Sequence, residues 1–292
     1  MAEILDGNLV ASYIKKQIKE KISERNKRPC LAVVLCNDDP ASKIYVSKKR
    51  KACEEVGIDS LLIKPFDSGI ENFISPIETL NHTIDWLNKD SSIHGILVQL
   101  PLPHPLDQKI IFDRINPLKD VDVFNPVNVG LLSQGRPRFI PCTPSGIQSL
   151  LQYYNIEFCG KKVCVINRSN IVGLPLQALL IQNNAYANAT VTVCHDHTPP
   201  EALKEICLMS DIIVVAVGIP NFLTVDMVTE RSIVVDVGIN RVHGTNKIVG
   251  DVDFEPVAAK CAWISKVPGG VGPLTVASLI KNVDLAFTLQ GN

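Results

Sequence analysis

Short apolar runs alternate with amphipathic segments along the first hundred residues. The runs are of strand length and almost continuously hydrophobic, which is typical of strands buried on both faces. They lie at 30–36, 59–66 and 95–103. Between them, Asp39 and Ser75 each precede a proline, a combination that predicts a capped helix start, and the first helix should end near Val56, before Gly57. This alternation predicts an α/β domain whose parallel sheet is covered on both faces.

A second alternation fills the other half of the chain. Its predicted strands are 161–166, Thr190–Cys194, 211–218, 232–239 and 262–268, and its predicted helices are 174–182 and Pro200–Met209. Apolar strands separated by helices favour a Rossmann-like sheet. The chain closes with an amphipathic helix over 274–290, which we expect to pack back on the first domain.

The stretch 116–146 differs from both halves because it is rich in proline, asparagine and glycine. We interpret it as a crossover between domains that also carries site residues. A length of 292 residues suits two domains of ordinary size. We therefore predict an N-terminal domain over 1–140, completed by the helix 275–292, and a second domain over 141–274.

Composition removes several classes of function. The net charge of −1 gives no global field for nucleic acid or an anionic membrane, and no apolar run approaches the roughly 20 residues that span a bilayer. The N-terminus lacks the pattern of a secretory signal, and the nine cysteines include no C-x-x-C pair, which fits a reducing cytosol. Cys194, His195 and His197 could be metal ligands, but an ordinary strand end is favoured, so we predict no metal.

Candidate chemistry begins on the first helix. Tyr45 and Lys49 are four residues apart and share a helix face, so they could form an acid–base pair. The neighbouring Lys48, Arg50 and Lys51 make a solvated basic face the favoured interpretation of this segment taken alone. Gln99, near the carboxyl end of a buried strand, must pair its amide with the backbone or with Lys49.

Two further segments have the composition of binding loops. Asp120 and Asp122, in "KDVD", lie in a loop that follows the N-terminal strands and helices. A carboxylate there could bind the edge of a heterocycle through two hydrogen bonds, or it could simply close a turn. The stretch "VPGGVGPLT", 267–275, combines three glycines with two prolines, which favours a binding loop over a mere connection. "PCTPSG", 141–146, is a weaker example.

Eight motifs occur in a fixed order: "YVSKKRKACEEVGI", "GILVQLPLP", "KDVD", "PCTPSG", "RSNIVGLP", "VVDVGIN", "GDVDF" and "VPGGVGPLT". In this order they resemble the bifunctional methylenetetrahydrofolate dehydrogenase/methenyltetrahydrofolate cyclohydrolases, and the match covers nearly the whole chain. The resemblance implies two α/β domains around a cleft and a cytoplasmic homodimer. It also implies oxidation of 5,10-methylenetetrahydrofolate with NADP and hydrolysis to 10-formyltetrahydrofolate, in the one-carbon metabolism that serves purine biosynthesis.

The resemblance also implies roles for individual residues. Lys49 would be central to the cyclohydrolase step, with Tyr45 orienting the folate ring, Gln99 holding Lys49, and Asp122 binding the pterin edge. Further folate contacts would come from Leu100, Pro101, Gly269, Gly272 and Pro273. The dinucleotide would lie along Thr143, Asn167, Arg168, Ser169, Ile171, His195, Asp196, Thr198, Val217, Gly218 and Ile239.

Three positions depart from the family pattern. Asn167 stands where the family usually has glycine, and asparagine is the side chain that best tolerates a left-handed turn. Asp196 replaces a serine that contacts the NADP 2′-phosphate, so NAD is the alternative cofactor. Val123 replaces a glycine beside Asp122.

These departures leave other functions to weigh. One is a cyclohydrolase-dominant member whose dehydrogenase activity is weak or prefers NAD, and another is a non-catalytic folate-binding homologue. The intact acid–base residues argue against the second, and the N-terminal motifs disfavour an unrelated Rossmann dehydrogenase.

Overall fold

The computed structural model describes residues 1–67, 75–242 and 247–291; Asn292, the last residue of the predicted final helix, lies outside them. The strands are β1 (Glu3–Leu5), β2 (Cys30–Leu35), β3 (Asp59–Ile63), β4 (Gly95–Gln99), β5 (Lys162–Ile166), β6 (Thr190–Cys194), β7 (Ile212–Val215), β8 (Ile233–Asp236), β9 (Asn240–Arg241), β10 (Ile248–Val249) and β11 (Trp263–Ser265). The helices are α1 (Gly7–Ser23), α2 (Pro40–Val56), α3 (Pro76–Lys89), α4 (Gln108–Arg114), α5 (Pro126–Ser133), α6 (Cys142–Tyr153), α7 (Gly173–Leu180), α8 (Pro200–Met209), α9 (Phe254–Lys260) and α10 (Val271–Leu289).

The chain divides into two compact units. Unit 1 comprises Met1–Ser12, Leu132–Arg136 and Pro141–Thr275, and unit 2 comprises Tyr13–Leu131, Pro137–Ile140 and Val276–Asn292. Among the described helices, none combines the length and hydrophobicity needed to cross a membrane.

Unit 2 contains a three-stranded parallel sheet in the order β3-β2-β4. The two helices predicted from proline-flanked caps begin where expected. The Asp39 carboxylate accepts a hydrogen bond from the Ser42 amide at 2.8 Å, and α2 ends at Gly57 with a left-handed φ of 87°. Ser75 and Glu78 form a reciprocal capping box at the start of α3.

The last helix completes unit 2. The Asn282 side-chain amide donates to the carbonyls of Val121 at 2.8 Å and Ile140 at 2.9 Å. The Asp284 carboxylate forms an ion pair with the Arg25 guanidinium at 2.6 Å, and this guanidinium lies 4.8 Å from the centre of the Phe287 ring. The prediction that the final helix packs on the N-terminal domain is therefore confirmed.

His94 makes unit 2 sensitive to acid. It is almost fully buried, its Nδ1 accepts the Cys30 amide at 3.0 Å, and its ring lies 4.8 Å from that of Phe287. Burial, with the nearby charges of Lys119 and Lys27, lowers the pKa of His94 below its usual 6.5. The unfolded chain then binds more protons below about pH 6.5, so the free energy of unfolding falls on acidification through this range.

We expect His94→Asn to remove part of this acid sensitivity. Asparagine can keep an acceptor near the Cys30 amide but does not titrate. Urea unfolding at pH 7.5 and 5.5 should show a smaller loss of stability in the variant than in the wild type. An equal loss in both proteins would contradict this role of His94.

Unit 1 contains a six-stranded parallel sheet in the order β1-β11-β8-β7-β5-β6, beside the antiparallel pair β9–β10. This confirms the Rossmann-like prediction. The first strand pairs with β11 through Ile4 and Ile264, so residues 1–12 belong with this sheet, whereas the sequence assigned them to the N-terminal domain. The three-residue β1 is too short to give a periodic signal.

The segment 116–146 is more regular than its composition suggested. It contains α5 and the first turn of α6, although we predicted a crossover loop. Pro126 begins α5 and Pro144 lies in the first turn of α6, where a missing amide hydrogen costs no helical bond. The prolines therefore mark helix starts here.

Candidate functional site

Lys49 and Gln99 meet at the carboxyl end of the unit 2 sheet. Lys49 lies on α2, Gln99 is the last residue of β4, and the Lys49 Nζ donates to the Gln99 Oε1 at 3.1 Å. The Gln99 amide nitrogen donates to the Leu100 carbonyl at 2.8 Å. Both ends of the Gln99 side chain are therefore paired, with backbone and with Lys49, and the lysine amine is held in one position.

The surroundings of this pair suit a flat ligand. Tyr45 lies one turn before Lys49 on the same helix and is 37% exposed. The Leu100–Pro101 peptide is cis, and the Pro101 carbonyl accepts a hydrogen bond from the Asn37 side-chain Nδ2 at 2.5 Å. Leu100 is half-buried and Pro101 is exposed. An exposed phenol ring, a fixed amine and a proline face are thus available on one unit.

The two aspartates of "KDVD" have different environments. Asp120 is almost fully buried, and its carboxylate accepts from the amides of Val123, Phe124 and Asn125 at 3.0–3.1 Å and from the Asn128 side chain at 2.9 Å. Burial raises the pKa of Asp120, while these hydrogen bonds act in the opposite direction. Asp120 therefore organises the loop.

Asp122, the residue predicted to bind a ligand, is only half-buried and lies within the loop that Asp120 closes. The next residue, Val123, is buried and has a left-handed φ of 67°. This conformation costs a β-branched residue about 1–2 kcal/mol, so the loop must be over-determined by its other bonds. A glycine, which the resemblance leads us to expect at this position, would adopt that φ without strain, whereas the valine adopts it at a cost.

The glycine-rich segment lies in unit 1 and is partly helical. Gly269, with φ 103°, accepts through its carbonyl from the Gly7 amide at 2.9 Å. Gly272 and Pro273, predicted as loop residues, lie in the first turn of α10. Pro273 is compatible with this position because a first turn needs no amide hydrogen from it, and Thr275 Oγ1 donates to the Gly272 carbonyl at 2.7 Å.

The turn after β5 is closed by the Asn167 side chain. Its Oδ1 accepts from the amides of Ser169 at 2.8 Å and Gly173 at 2.9 Å, and its Nδ2 donates to the Ala216 carbonyl at 2.5 Å. Asn167 is not among the residues with a left-handed φ, so its tolerance of that conformation is not used in this turn. Its side chain instead joins the turn to the segment after β7. A Cβ on Gly173 would lie 1.9 Å from the Asn167 carbonyl oxygen, which requires glycine there.

The next residues carry the charge of the loop. The Arg168 guanidinium pairs with the Asp196 carboxylate at 2.5 Å, and both side chains are exposed. Desolvation opposes ionisation of Asp196, but attraction to Arg168 and His197, together with hydrogen bonds, lowers the pKa of Asp196 below its usual value. Thr198 Oγ1 accepts the His195 amide at 3.0 Å and so fixes the end of β6. Ile171 is an exposed apolar residue in the turn after β5.

The remaining predicted residues of unit 1 follow β7, follow β8 or lie on α6. Val217 is half-buried, Gly218 is exposed with φ 71°, and Ile239 is 49% exposed. Thr143 lies in the first turn of α6. Sequence reasoning missed Asp251, whose buried carboxylate accepts the amides of Val217 and Gly218 at 2.6 and 2.9 Å. The "GDVDF" motif contained this residue but gave it no role.

Unit 1 therefore has the features of a dinucleotide site at the carboxyl ends of its parallel strands. Arg168 can meet a phosphate, the open space beside Gly218 admits close approach, and Ile171 and Ile239 offer apolar surface to flat rings. In the part of the chain that the structure describes, no group of three His, Cys, Asp or Glu side chains could hold a metal ion.

Family models match both halves of the chain. The catalytic domain of tetrahydrofolate dehydrogenase/cyclohydrolase matches residues 5–122, and the NAD(P)-binding domain of the same family matches residues 141–290. The bifunctional protein FolD of Agathobacter rectalis is 46% identical over 285 residues, covering 97% of this chain and 98% of that protein. FolD of Nitratiruptor sp. is 49% identical over 284 residues and covers 96% of each.

Solved structures agree with the family models. The bifunctional FolD enzyme of Campylobacter jejuni superposes with a TM-score of 0.91 at 44% identity and covers 99% of both chains. The Trypanosoma brucei enzyme, solved with NADP and an inhibitor, gives a TM-score of 0.89 at 36% identity and covers 99% of this chain and 98% of that one. With both domain models matched and full-length relatives near half identity, this chain belongs to the tetrahydrofolate dehydrogenase/cyclohydrolase family.

Proposed function

We propose that this protein oxidises 5,10-methylenetetrahydrofolate to 5,10-methenyltetrahydrofolate with NADP and then hydrolyses the product to 10-formyltetrahydrofolate. The observation that carries the proposal is the Lys49–Gln99 hydrogen bond at the carboxyl end of β4, inside the matched catalytic domain. A fixed amine beside an exposed tyrosine is what the hydrolytic step needs, and a non-catalytic binder would have no use for it.

The hydrolytic step follows from the charges of the substrate. Water adds to the cationic methenyl carbon, and the ring opens only when a proton leaves the added water and another reaches the ring nitrogen. Lys49 is the group that accepts and returns this proton, and Gln99 keeps its amine in reach. Tyr45 orients the ring system, and the Asp122 carboxylate accepts two hydrogen bonds from the pterin edge. Leu100, Pro101, Gly269, Gly272 and Pro273 are assigned to the folate contacts.

The dehydrogenase step needs position more than acid–base help. When bound, NADP would supply the acceptor for the hydride that leaves the one-carbon bridge of the folate. We assign Val217, Gly218 and Ile239 to the nicotinamide end. Arg168, Ser169, His195, Asp196 and Thr198 are assigned to the adenosine end, with Thr143, Asn167 and Ile171 along the dinucleotide. The solved T. brucei relative was crystallised with NADP, which supports NADP for this chain as well.

The Asp196–Arg168 pair should weaken NADP binding in this protein relative to a serine at the same position. The exposed carboxylate repels a 2′-phosphate and occupies the guanidinium that would receive it. We expect Asp196→Ser to tighten NADP binding about five- to tenfold, the equivalent of about 1–1.4 kcal/mol, with little change for NAD. Calorimetric titration with each cofactor measures the ratio. An unchanged NADP-to-NAD ratio would remove Asp196 from the 2′-phosphate site.

We further propose a cytoplasmic homodimer. In the part of the chain that the structure describes, no two cysteines form a disulfide, which supports a reducing compartment. Among the described strands, β6 lies at the edge of its sheet and has β5 as its one partner, so a second copy of unit 1 has an edge available for association. Sedimentation equilibrium tests the stoichiometry.

The function is tested by two spectrophotometric assays. The first follows methenyltetrahydrofolate formation from 5,10-methylenetetrahydrofolate with NADP and with NAD separately. The second follows the disappearance of added methenyltetrahydrofolate. We expect both activities, with NADP supporting the first. Normal hydrolysis without oxidation by either cofactor would leave only the cyclohydrolase, and no hydrolysis would refute the proposal.

A further inference from the structure

Two buried carboxylates link the segments that follow β7 and β8 in unit 1. Asp251 is fully buried, and its Oδ2 accepts the amides of Val217 and Gly218. Its Oδ1 accepts the Asn240 side-chain amide at 2.8 Å. One carboxylate therefore joins the turn after β7 to Asn240, the neighbour of Ile239.

Asp236 holds Asp251 in place. It is 3% exposed, and its carboxylate accepts the amides of Gly238 at 2.9 Å, Asp251 at 3.0 Å and Val252 at 3.1 Å. Burial raises the pKa of Asp236 to about 6, with a smaller contribution from Asp251. Asp236 thus fixes the backbone from which the Asp251 side chain extends.

Gly238 in "VVDVGIN" and Gly250 in "GDVDF" lie where a side chain would collide with these two carboxylates. A Cβ on Gly238 would lie 2.2 Å from Asp251 Oδ1, and a Cβ on Gly250 would lie 1.8 Å from Asp236 Oδ2. No side chain fits at either position while the carboxylates remain. The sequences "DVGIN" and "GDVD" therefore encode one arrangement.

A carboxylate is the side chain that this position requires. It has two oxygens, donates nothing when ionised, and can satisfy three converging donors at once. Burying the Asp251 carboxylate costs free energy that an apolar residue at the same position would not cost. Such a group is retained where the geometry of its donors matters.

We infer that Asp251 is the positioning residue of the nicotinamide end, because its carboxylate sets the Val217–Gly218 turn against the Ile239–Asn240 segment. The inference rests on the proposed function for the assignment of these segments to the nicotinamide. It assigns Asp251 no contact with the reacting atoms. Asp251 keeps the Val217–Gly218 turn and the Ile239–Asn240 segment at a fixed distance from each other. The orientation of the nicotinamide ring depends on that distance.

Asp251→Asn tests the inference because it replaces one carboxylate oxygen with an NH2 group. This NH2 group would face either the Val217 and Gly218 amides or the Asn240 side-chain amide, all of which are donors. We expect the dehydrogenase kcat to fall roughly 10- to 100-fold, as a displacement of about 1 Å at a reacting centre does. NADP binding should weaken, whereas 2′,5′-ADP, which carries only the adenosine end, should bind within about twofold of wild type because the adenosine end is untouched. Calorimetry with both ligands gives a readout independent of turnover.

A paired exchange provides the rescue. In Asp251→Asn with Asn240→Asp, the residue 251 oxygen accepts the two backbone amides and its nitrogen donates to the new carboxylate. We expect kcat to recover in part, since the Asn240 bond to the Gly250 carbonyl at 3.1 Å is lost. Asp253→Asn, in the same motif, is the matched control, because the Asp253 side chain makes no capping hydrogen bond. It should leave all three readouts unchanged.

The outcomes separate the inference from its alternatives. Equal losses of NADP and 2′,5′-ADP affinity would show a merely structural role and overturn it, as would an unchanged kcat. If Asp251→Asn does not fold, Asn240→Ala removes only the side-chain amide that donates to Asp251 and Gly250, and a lower kcat with unchanged 2′,5′-ADP binding would again support the inference. Failure of the wild type to reduce NADP would refute the proposed function instead, and the binding comparison would still test the position of the ring.

Discussion

Lys49→Met should abolish the hydrolysis of methenyltetrahydrofolate while leaving the protein folded. The Lys49 amine is the proposed proton carrier, and Gln99 holds it at 3.1 Å. Loss of a positioned acid–base group lowers a rate by about 10²–10⁴-fold, and methionine keeps the length of the side chain without the proton. The measurement is the decay of methenyltetrahydrofolate absorbance, at a pH where uncatalysed hydrolysis is slow.

The dehydrogenase activity of the same variant should survive in measurable form, because hydride transfer depends on position. Lys48→Met is the matched control: Lys48 is the neighbouring residue on α2, exposed to solvent, and its loss removes the same charge. We expect both activities of this control near wild type. If Lys49→Met kept the full rate of methenyltetrahydrofolate hydrolysis, Lys49 could not be the proton carrier of that step.

Features that depend on near neighbours were predictable from the sequence. The start of α2 needs only Asp39 and the proline after it, and its end needs only Gly57, so the bounds of the helix were read correctly. Apart from the three-residue β1, the strands of both sheets followed from apolar runs. The family motifs added the pairing of Lys49 with Gln99 as an expectation, and the structure joins these residues across 50 positions of sequence.

Other features that depend on distant partners were not predictable, because no motif or local pattern signals them. The role of Asn167 is set in part by the Ala216 carbonyl, 49 residues away, whereas its residue type indicated only that a left-handed φ would be tolerated there. Asp251 acquires its role from amides 33 and 34 residues away, and no local pattern signals it. The helix α5 was missed for the opposite reason, since its proline was taken as a loop signal when it occupies a first turn.

Asp120 closes the loop that carries Asp122, so its removal should strongly destabilise the protein. Asp120→Ala should lower the free energy of unfolding by at least about 3 kcal/mol, because it leaves the amides of three loop residues and the Asn128 side chain without their acceptor. Val123 holds a strained φ that depends on this closure, so the loop should also relax away from the conformation that presents Asp122.

The comparison with Asp122→Ala separates stability from binding in one loop. Asp122 is half-buried, so its removal should change the free energy of unfolding by no more than about 0.5 kcal/mol, while the KM for the folate rises. Asp120→Ala should reverse this order, with the larger loss in urea unfolding and a rise in KM that follows from it. An Asp120→Ala protein as stable as wild type would mean that water or another group satisfies the four donors. The buried carboxylate would then have no structural reason to be there.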